Sequence, residues 1–246
     1  MAQDDLSHLI ATIRDATDTS DLWQIAINFF NAHGIIRVSY HVYGEGGGDP
    51  AGQSVRTDGF PRDWVSTYIE GDYAVVDPIP ELARLRSRPF LWSEVERLHP
   101  ISEDARDFLE AFRDRNLGDG LAMQVFGPNL RNAYVGLGFG AKAPDLSDAY
   151  VSFMQIASQA LHLRYCELTE AEDQRPADLS PRELEVLKWI ARGKSNSVIS
   201  ELMSVSPHTV DTLVRRLFSK LKVSDRTSAA IKGIGAGFLH KGELKD

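Results

Sequence analysis

Apolar residues recur at steps of three and four in two early stretches, then at steps of two, then at helical spacing again. Leu6, Leu9, Ile10 and Ile13 form one stripe within residues 4–18, and Leu22, Ile25, Ala26, Phe29 and Phe30 form another within 21–33. Both read as amphipathic helices, the second capped by Asp18 or Ser20 and ended by His33–Gly34. Ile35 to Tyr43 is rich in β-branched and aromatic residues and reads as a strand. A glycine-rich connection, Gly44 to Gly52, leads to a short strand at about Gln53 to Thr57. Pro61 opens a helix carrying Trp64 and Tyr68, four apart and so on one face. Beyond it, residues 89–92 read as extended, 102–116 as a helix capped by Ser102, and 120–127 and 133–140 as a strand pair. A long helix runs from about Ser147 to Glu167, with Tyr150, Val151, Met154, Ala157, Leu161 and Tyr165 inward. This order predicts an antiparallel sheet with helices on both faces, an α/β/α sandwich.

The pattern changes from Leu179 to Phe238, where four short helical patterns are separated by turn signals. Ser180, Pro181 and Glu183 form a capping box with proline in the first turn. Leu184, Leu187, Trp189 and Ile190 follow as the inner stripe, and Gly193 stops the helix. Ser195 opens a second helix with Val198, Ile199 and Leu202 inward, and Ser206 caps a third over Pro207 to Leu221. Two short helices joined by such a turn are the helix-turn-helix signature, giving an all-α four-helix domain and an α+β chain. In the third helix, Val210, Leu213, Val214, Leu217 and Leu221 share a stripe, which puts Thr212, Arg215, Arg216 and Ser219 on the opposite side. A helix so fixed, with a basic and hydroxyl-bearing outer face, suits the DNA major groove. Lys194, Lys220, Lys222 and Arg226 are candidates to neutralise phosphates. The last helix spans about 225–237.

Charge follows the same division. The chain of 246 residues has a formal net charge of −8. Residues 178–246 contain 12 Lys and Arg against 8 Asp and Glu, a net of +4, leaving 15 basic and 27 acidic residues, a net of −12, in the remainder. An acidic body with a basic tail domain fits a DNA reader whose other domain does something else. The charged, apolar-poor stretch Thr169 to Pro176 reads as the linker, so the expected domains are 1–167 and 178–246 with a linker at 168–177. No run of 18 apolar residues occurs, so no membrane span is expected. The acidic start, MAQDDLSHLI, does not read as a secretory signal. One cysteine, Cys166, excludes an internal disulfide framework and a cysteine metal cluster. These features point to a cytoplasmic protein.

Catalytic chemistry finds no support. His8, His33, His41, His99 and His162 are scattered without ligand-like spacing, and no G-x-S-x-G nucleophile motif occurs. No catalytic residue, metal site or cofactor is expected. A phosphoacceptor domain is also disfavoured, because Asp4 and Asp5 precede a helix rather than close a strand. Trp64, Tyr68, Asp77 and Trp92 remain. Trp and Tyr have polar tips that need partners when buried, and a buried aspartate needs a donor. A ligand with one amide N–H and several carbonyl oxygens would answer all of them; so, equally, would an ordinary aromatic core beside an Asp-Pro turn.

Two resemblances bear on that choice. Leu179–Ser180–Pro181–Arg182–Glu183, Val186–Leu187, Gly193–Lys194–Ser195–Asn196, Thr209–Val210 and Lys220–Leu221–Lys222–Val223, with Arg226 and Ala229, resemble the DNA-binding domain of LuxR-type transcription regulators. The chain departs from that pattern at Val198–Ile199–Ser200, and at Asp211 and Leu213 of the third helix. An aspartate on the flank of a DNA-facing helix repels phosphate, or accepts from cytosine N4. Trp64, Tyr68, Asp77–Pro78, Trp92 and Gly120 are similar in type and spacing to the autoinducer-binding domain of quorum-sensing members. The resemblance implies an N-acyl-homoserine lactone ligand, with Trp64 on the lactone carbonyl, Asp77 on the amide N–H, Tyr68 on the acyl carbonyl and Trp92 walling the pocket. Gly120 would allow close backbone approach. It also implies a homodimer on promoter DNA, with Lys194, Ser195, Asn196, Thr209, Thr212, Arg215, Arg216 and Lys220 as the DNA-facing set. The alternative is a regulator of this type that answers to a different small molecule, or to none.

Overall fold

A computed structural model describes residues 2–43, 53–140, 143–169, 177–240 and 242. The chain forms two compact units, Met1–Gly127 with Arg131–Thr169, and Pro128–Leu130 with Glu170–Asp246. The expected glycine-rich connection at 44–52, and all of the expected linker between residues 170 and 176, lie outside the described residues.

The first unit begins with helices α1 (Ala2–Asp15) and α2 (Thr19–Ala32). Asp18 caps α2 by accepting from the N–H groups of Ser20 and Asp21, two donors that the first helical turn leaves without partners. Strands β1 (Arg37–Tyr43) and β2 (Gln53–Asp58) follow, then α3 (Arg62–Glu70), α4 (Pro78–Leu85), β3 (Phe90–Leu91), α5 (Val95–Leu98) and α6 (Glu103–Asp114). Strands β4 (Asp119–Val125) and β5 (Ala133–Phe139) and the long helix α7 (Asp148–Leu168) complete it. The five strands form one antiparallel sheet in the order β2-β1-β5-β4-β3.

Helix α4 is absent from the reading of the sequence, because Asp77–Pro78 with Pro80 resembles a turn. Both prolines instead sit in the first turn of a helix, where a missing N–H costs nothing, and Asp77 caps it. The short α5 likewise has no counterpart in that reading, and the other helices and strands fall within a few residues of their expected bounds.

The two faces of the sheet differ in residue size, and this difference makes the site. Toward α1, α2 and α7 the strands present Val38 and Val42, Leu121, Met123 and Val125, and Val135, Leu137 and Phe139, all in one packed cluster. Alternation turns Gly120 and Ala122 of β4, and Tyr134, Gly136 and Gly138 of β5, to the other face. There α3 to α6 pack through Trp64, Ile79, Val95 and Phe108. Missing side-chain volume on that face must be filled from the helices or remain a hollow.

The second unit contains α8 (Pro181–Ala191), α9 (Asn196–Leu202), α10 (Pro207–Leu221) and α11 (Arg226–Gly235). Ser180, Ser195 and Ser206 cap the first three, and Ser180 with Glu183 forms the expected reciprocal box. The core differs in detail from the expected stripes. Val186 and Leu187 are fully buried in α8, whereas Leu184 and Trp189 are half-buried. In the seven-residue α9, Ile199 and Ser200 point inward with Met203 just beyond, while Val198 and Leu202 are 38% and 48% exposed. Ser200 is tolerated inside because its hydroxyl donates to the Ser197 carbonyl. Among the described residues no helix is long and apolar enough to cross a membrane, and no group of three metal-binding side chains occurs.

Candidate ligand cavity and nucleic-acid interface

A cavity of about 440 Å³ opens on the glycine-bearing face of the sheet, within the roughly 300–1,000 Å³ usual for small-ligand sites. Trp64, Tyr68, Asp77 and Trp92 all line it. The spacing on α3 brings the first two together, with ring centroids 6.4 Å apart. Asp77 enters from the start of α4. Its Oδ1 accepts from the Ile79 N–H at 2.9 Å and its Oδ2 accepts from the Tyr68 hydroxyl at 3.0 Å.

Asp77 is enclosed by protein atoms, and the surface that it still shows faces the hollow. With no cation against it, burial pushes its carboxyl up to about 7, against the pull of the Ile79 N–H and the Tyr68 hydroxyl. Burial also raises the Tyr68 phenol, and the neighbouring Asp77 charge adds to the effect. The arrangement is an acceptor short of donors.

Trp92 forms the opposite wall. A Cβ on Gly120 would come within 2.6 Å of its ring, and one on Gly138 within 2.8 Å. These glycines are register partners on β4 and β5, so a two-strand trough seats the indole flat against the sheet. Gly120 thus gives room to a side chain rather than to another stretch of backbone. The Trp92 Nε1 is buried beside the Tyr134 hydroxyl, and its N–H works against the rise that burial gives that phenol.

The sequence reading did not find Ser39, His41, Phe60, Phe108, Phe112 and Tyr134, which also line the cavity. Ser39 and His41 are buried polar residues on β1. The available signal is the pair Gly136 and Gly138, alternating with large apolar residues in β5, which marks one face of that strand as hollow.

In the second unit the expected DNA-facing residues separate into two groups. Arg215 and Arg216 are exposed on α10. Thr212 is half-buried beside them, its hydroxyl donating to the His208 carbonyl. Thr209 and Ser195 are exposed, with hydroxyls paired to Ser206 and Ser197 at 2.8 and 2.9 Å. Lys194 is half-buried and its carbonyl accepts from Arg226.

Lys220, Asn196 and Arg226 are used inside the fold instead. The Lys220 Nζ donates at 2.7 Å both to the Asp178 carbonyl and to buried Glu183. Arg226 donates to the Asn196 Oδ1 at 2.7 Å, and the Asn196 Nδ2 donates to the Asp211 Oδ1 at 2.8 Å. This chain fastens the start of α9 to α10 and α11. It also accounts for Asp211, whose carboxylate serves the helix packing. A charge count alone does not separate cations that hold the domain together from cations that remain available.

Residues 18–165 match the family described as the autoinducer binding domain, and residues 177–232 match the bacterial regulatory proteins of the luxR family. The quorum sensing-dependent transcriptional regulator RpaR of Rhodopseudomonas palustris is 28% identical over 182 residues, which cover 74% of each chain. The transcriptional activator VanR of Vibrio anguillarum is 26% identical over 193 residues, covering 76% of this chain and 78% of its own. Escherichia coli SdiA has a similar fold, with a TM-score of 0.71 at 19% identity, over 96% of this chain and 98% of its own. SdiA has also been solved in complex with octanoyl-rac-glycerol, where the TM-score is 0.70 at 20% identity over 96% of each chain.

Proposed function

The chain belongs to the LuxR-type quorum-sensing regulators with an autoinducer-binding domain, and on that premise we propose that its ligand is an N-acyl-homoserine lactone. The observation that carries this reading is the convergence of Trp64, Tyr68, Asp77 and Trp92 on one cavity. An amide N–H is the donor that the Asp77 carboxylate lacks. The Tyr68 hydroxyl, already directed at Asp77, is placed to turn to an acyl carbonyl, and Trp64 is assigned to the lactone carbonyl. Trp92 closes the pocket by packing. The site holds no cofactor and performs no reaction; it exchanges an under-satisfied carboxylate for a satisfied one.

In the second unit, Thr212, Arg215 and Arg216 enter the major groove of promoter DNA, flanked by Lys194, Ser195 and Thr209. One short helix buries too little DNA for tight, specific binding, which favours a homodimer on two half-sites. Exposed Ile156 and Leu163 on α7, and Ile231 and Ile234 on α11, are apolar surface for such pairing. A protein acting on promoters works in the cytoplasm. Ligand bound only by the folded pocket stabilises that fold and the DNA-competent arrangement with it. The second reading is a different amphiphile in the same cavity, which the complex of SdiA with octanoyl-rac-glycerol brings forward.

Isothermal titration of the full chain with acyl-homoserine lactones of graded length tests the proposal. We expect saturable heat with some of the series, and a loss of about a hundredfold in affinity for Asp77→Asn, as for a buried charged hydrogen bond. The substitution keeps the oxygen that caps α4, so the domain should still unfold cooperatively. Undiminished affinity in Asp77→Asn would refute the assignment of the amide to this carboxylate.

A further inference from the structure

On the reading that α10 enters the major groove, we infer that Asp211 is a base reader. The base it selects is a cytosine, whose N4 amino group donates to the free oxygen of the carboxylate.

Helical spacing puts Asp211 where a base can be reached. Val210, Val214, Leu217 and Leu221 are the buried stripe of α10. Four residues advance a helix by one turn and about 40°. Asp211 therefore stands one turn before Arg215 on the open side, and both are exposed. It lies in the first half of α10, the part of a recognition helix that meets base edges. The Arg215 Nε reaches back to the main-chain carbonyl of Asp211 at 3.4 Å, so the two residues share one patch of helix surface.

The carboxylate is held from one side. Its Oδ1 accepts from the Asn196 Nδ2 at 2.8 Å, and the Asn196 Oδ1 accepts in turn from Arg226 at 2.7 Å. Asn196 and Arg226 are half-buried, so groups anchored on α9 and α11 orient the carboxylate. Among the described residues nothing donates to its Oδ2.

Packing asks only for an acceptor toward Asn196, which a neutral amide oxygen supplies as well. The charge is the part that packing does not explain. On a helix facing phosphates a carboxylate lowers affinity for every sequence, unless a base donates to it. Fixed in place, it also gives up little rotamer freedom on binding. In the major groove guanine shows two acceptors, thymine an acceptor and a methyl group, and adenine a donor beside an acceptor. Cytosine alone shows a donor with no acceptor beside it on the same base. A carboxylate accepts from that group and is repelled by an acceptor on each of the others.

The test selects binding sites for the full chain from random-sequence duplexes, with a mixture of acyl-homoserine lactones present and, separately, without it. We expect the wild-type sites to share a cytosine at one position of each half-site, and replacement of that base pair to weaken binding about tenfold or more. Asp211→Ala should lose the preference at that position alone. Asp211→Asn keeps an oxygen for Asn196 and turns an amino group outward, so it should exchange cytosine for a base that presents an acceptor. If Asp211→Ala does not fold, Asp211→Asn decides. Identical sites from wild type and Asp211→Asn, or a loss in Asp211→Ala spread over the whole site, would overturn this inference and leave α10 in the groove with Asp211 a packing residue. No shared site from the wild type under either condition would overturn both this inference and the docking of α10.

Discussion

Each unit encloses a carboxylate, and the two are treated in opposite ways. Glu183 lies in the small unit at 3% exposure. Burial raises its pKa, but the Lys220 ammonium and the N–H and hydroxyl of Ser180 outweigh it and hold the group below its usual range. Asp77 lies in the large unit with a neutral hydroxyl and one backbone N–H, and burial wins. One acid is satisfied by its own fold and so belongs to the scaffold. The other is left wanting a donor beside a hollow, which is the condition for a binding site. The cations divide in the same way: Lys220 and Arg226 are tied into the packing, whereas Arg215 and Arg216 stay at the surface.

The comparison can be broken in the small unit at Lys220. Lys220→Met strands buried Glu183 without its cation, and should lower the stability of the small unit by about 2 kcal/mol. That is less than the roughly 3–5 kcal/mol for a fully buried pair, because Lys220 is partly open to water. Denaturant unfolding followed by Trp189 fluorescence measures it, and lactone affinity should not change. A loss confined to DNA binding would mean that Lys220 is a phosphate contact after all.

The titration of Asp77 breaks it in the large unit, and across the whole pH range its effect is larger still. Its folded pKa of about 7 stands above its ordinary value of 3.8, so between those values the folded state holds a proton that the unfolded state has released. The stability of the empty large unit from this group is therefore full below about pH 4 and is lost as pH rises through 7. A ligand N–H requires the ionised carboxylate. Affinity should then rise about tenfold per pH unit up to about 7 and level off above it. Calorimetry across this range checks the slope, and Asp77→Asn should flatten it.

The smallest effect is expected at Arg215. Arg215→Ala should leave thermal unfolding unchanged and weaken promoter binding by about 1 kcal/mol. If the guanidinium reads a base, the loss will be confined to one operator position; if it meets phosphate, it will be similar across sequences and accompanied by a shallower salt dependence. Binding titrations on operator variants at two salt concentrations separate these outcomes.

Much of the molecule could be read from the chain because the signals are local. Ser102, Ser180, Ser195 and Ser206 cap helices where the sequence places them. The alternation in β4 and β5 and the stripe of α10 follow from periodicity, and the acidic body and basic tail from counting. The prolines of α4 misled because a helix start and a turn use the same residues. What the sequence left undetermined depends on which groups meet across distance. Gly120 and Gly138 become a seat for Trp92 only when β4 and β5 are in register. Ser39 and Tyr134 pair only because Gly136 lies between them. Whether a carboxylate is left unmatched or locked depends on the presence of a lysine 37 positions away, as for Glu183 and Lys220. Periodicity, capping and charge are properties of neighbours in sequence. Burial, and the pairing that compensates it, are properties of neighbours in space, which the tertiary structure decides.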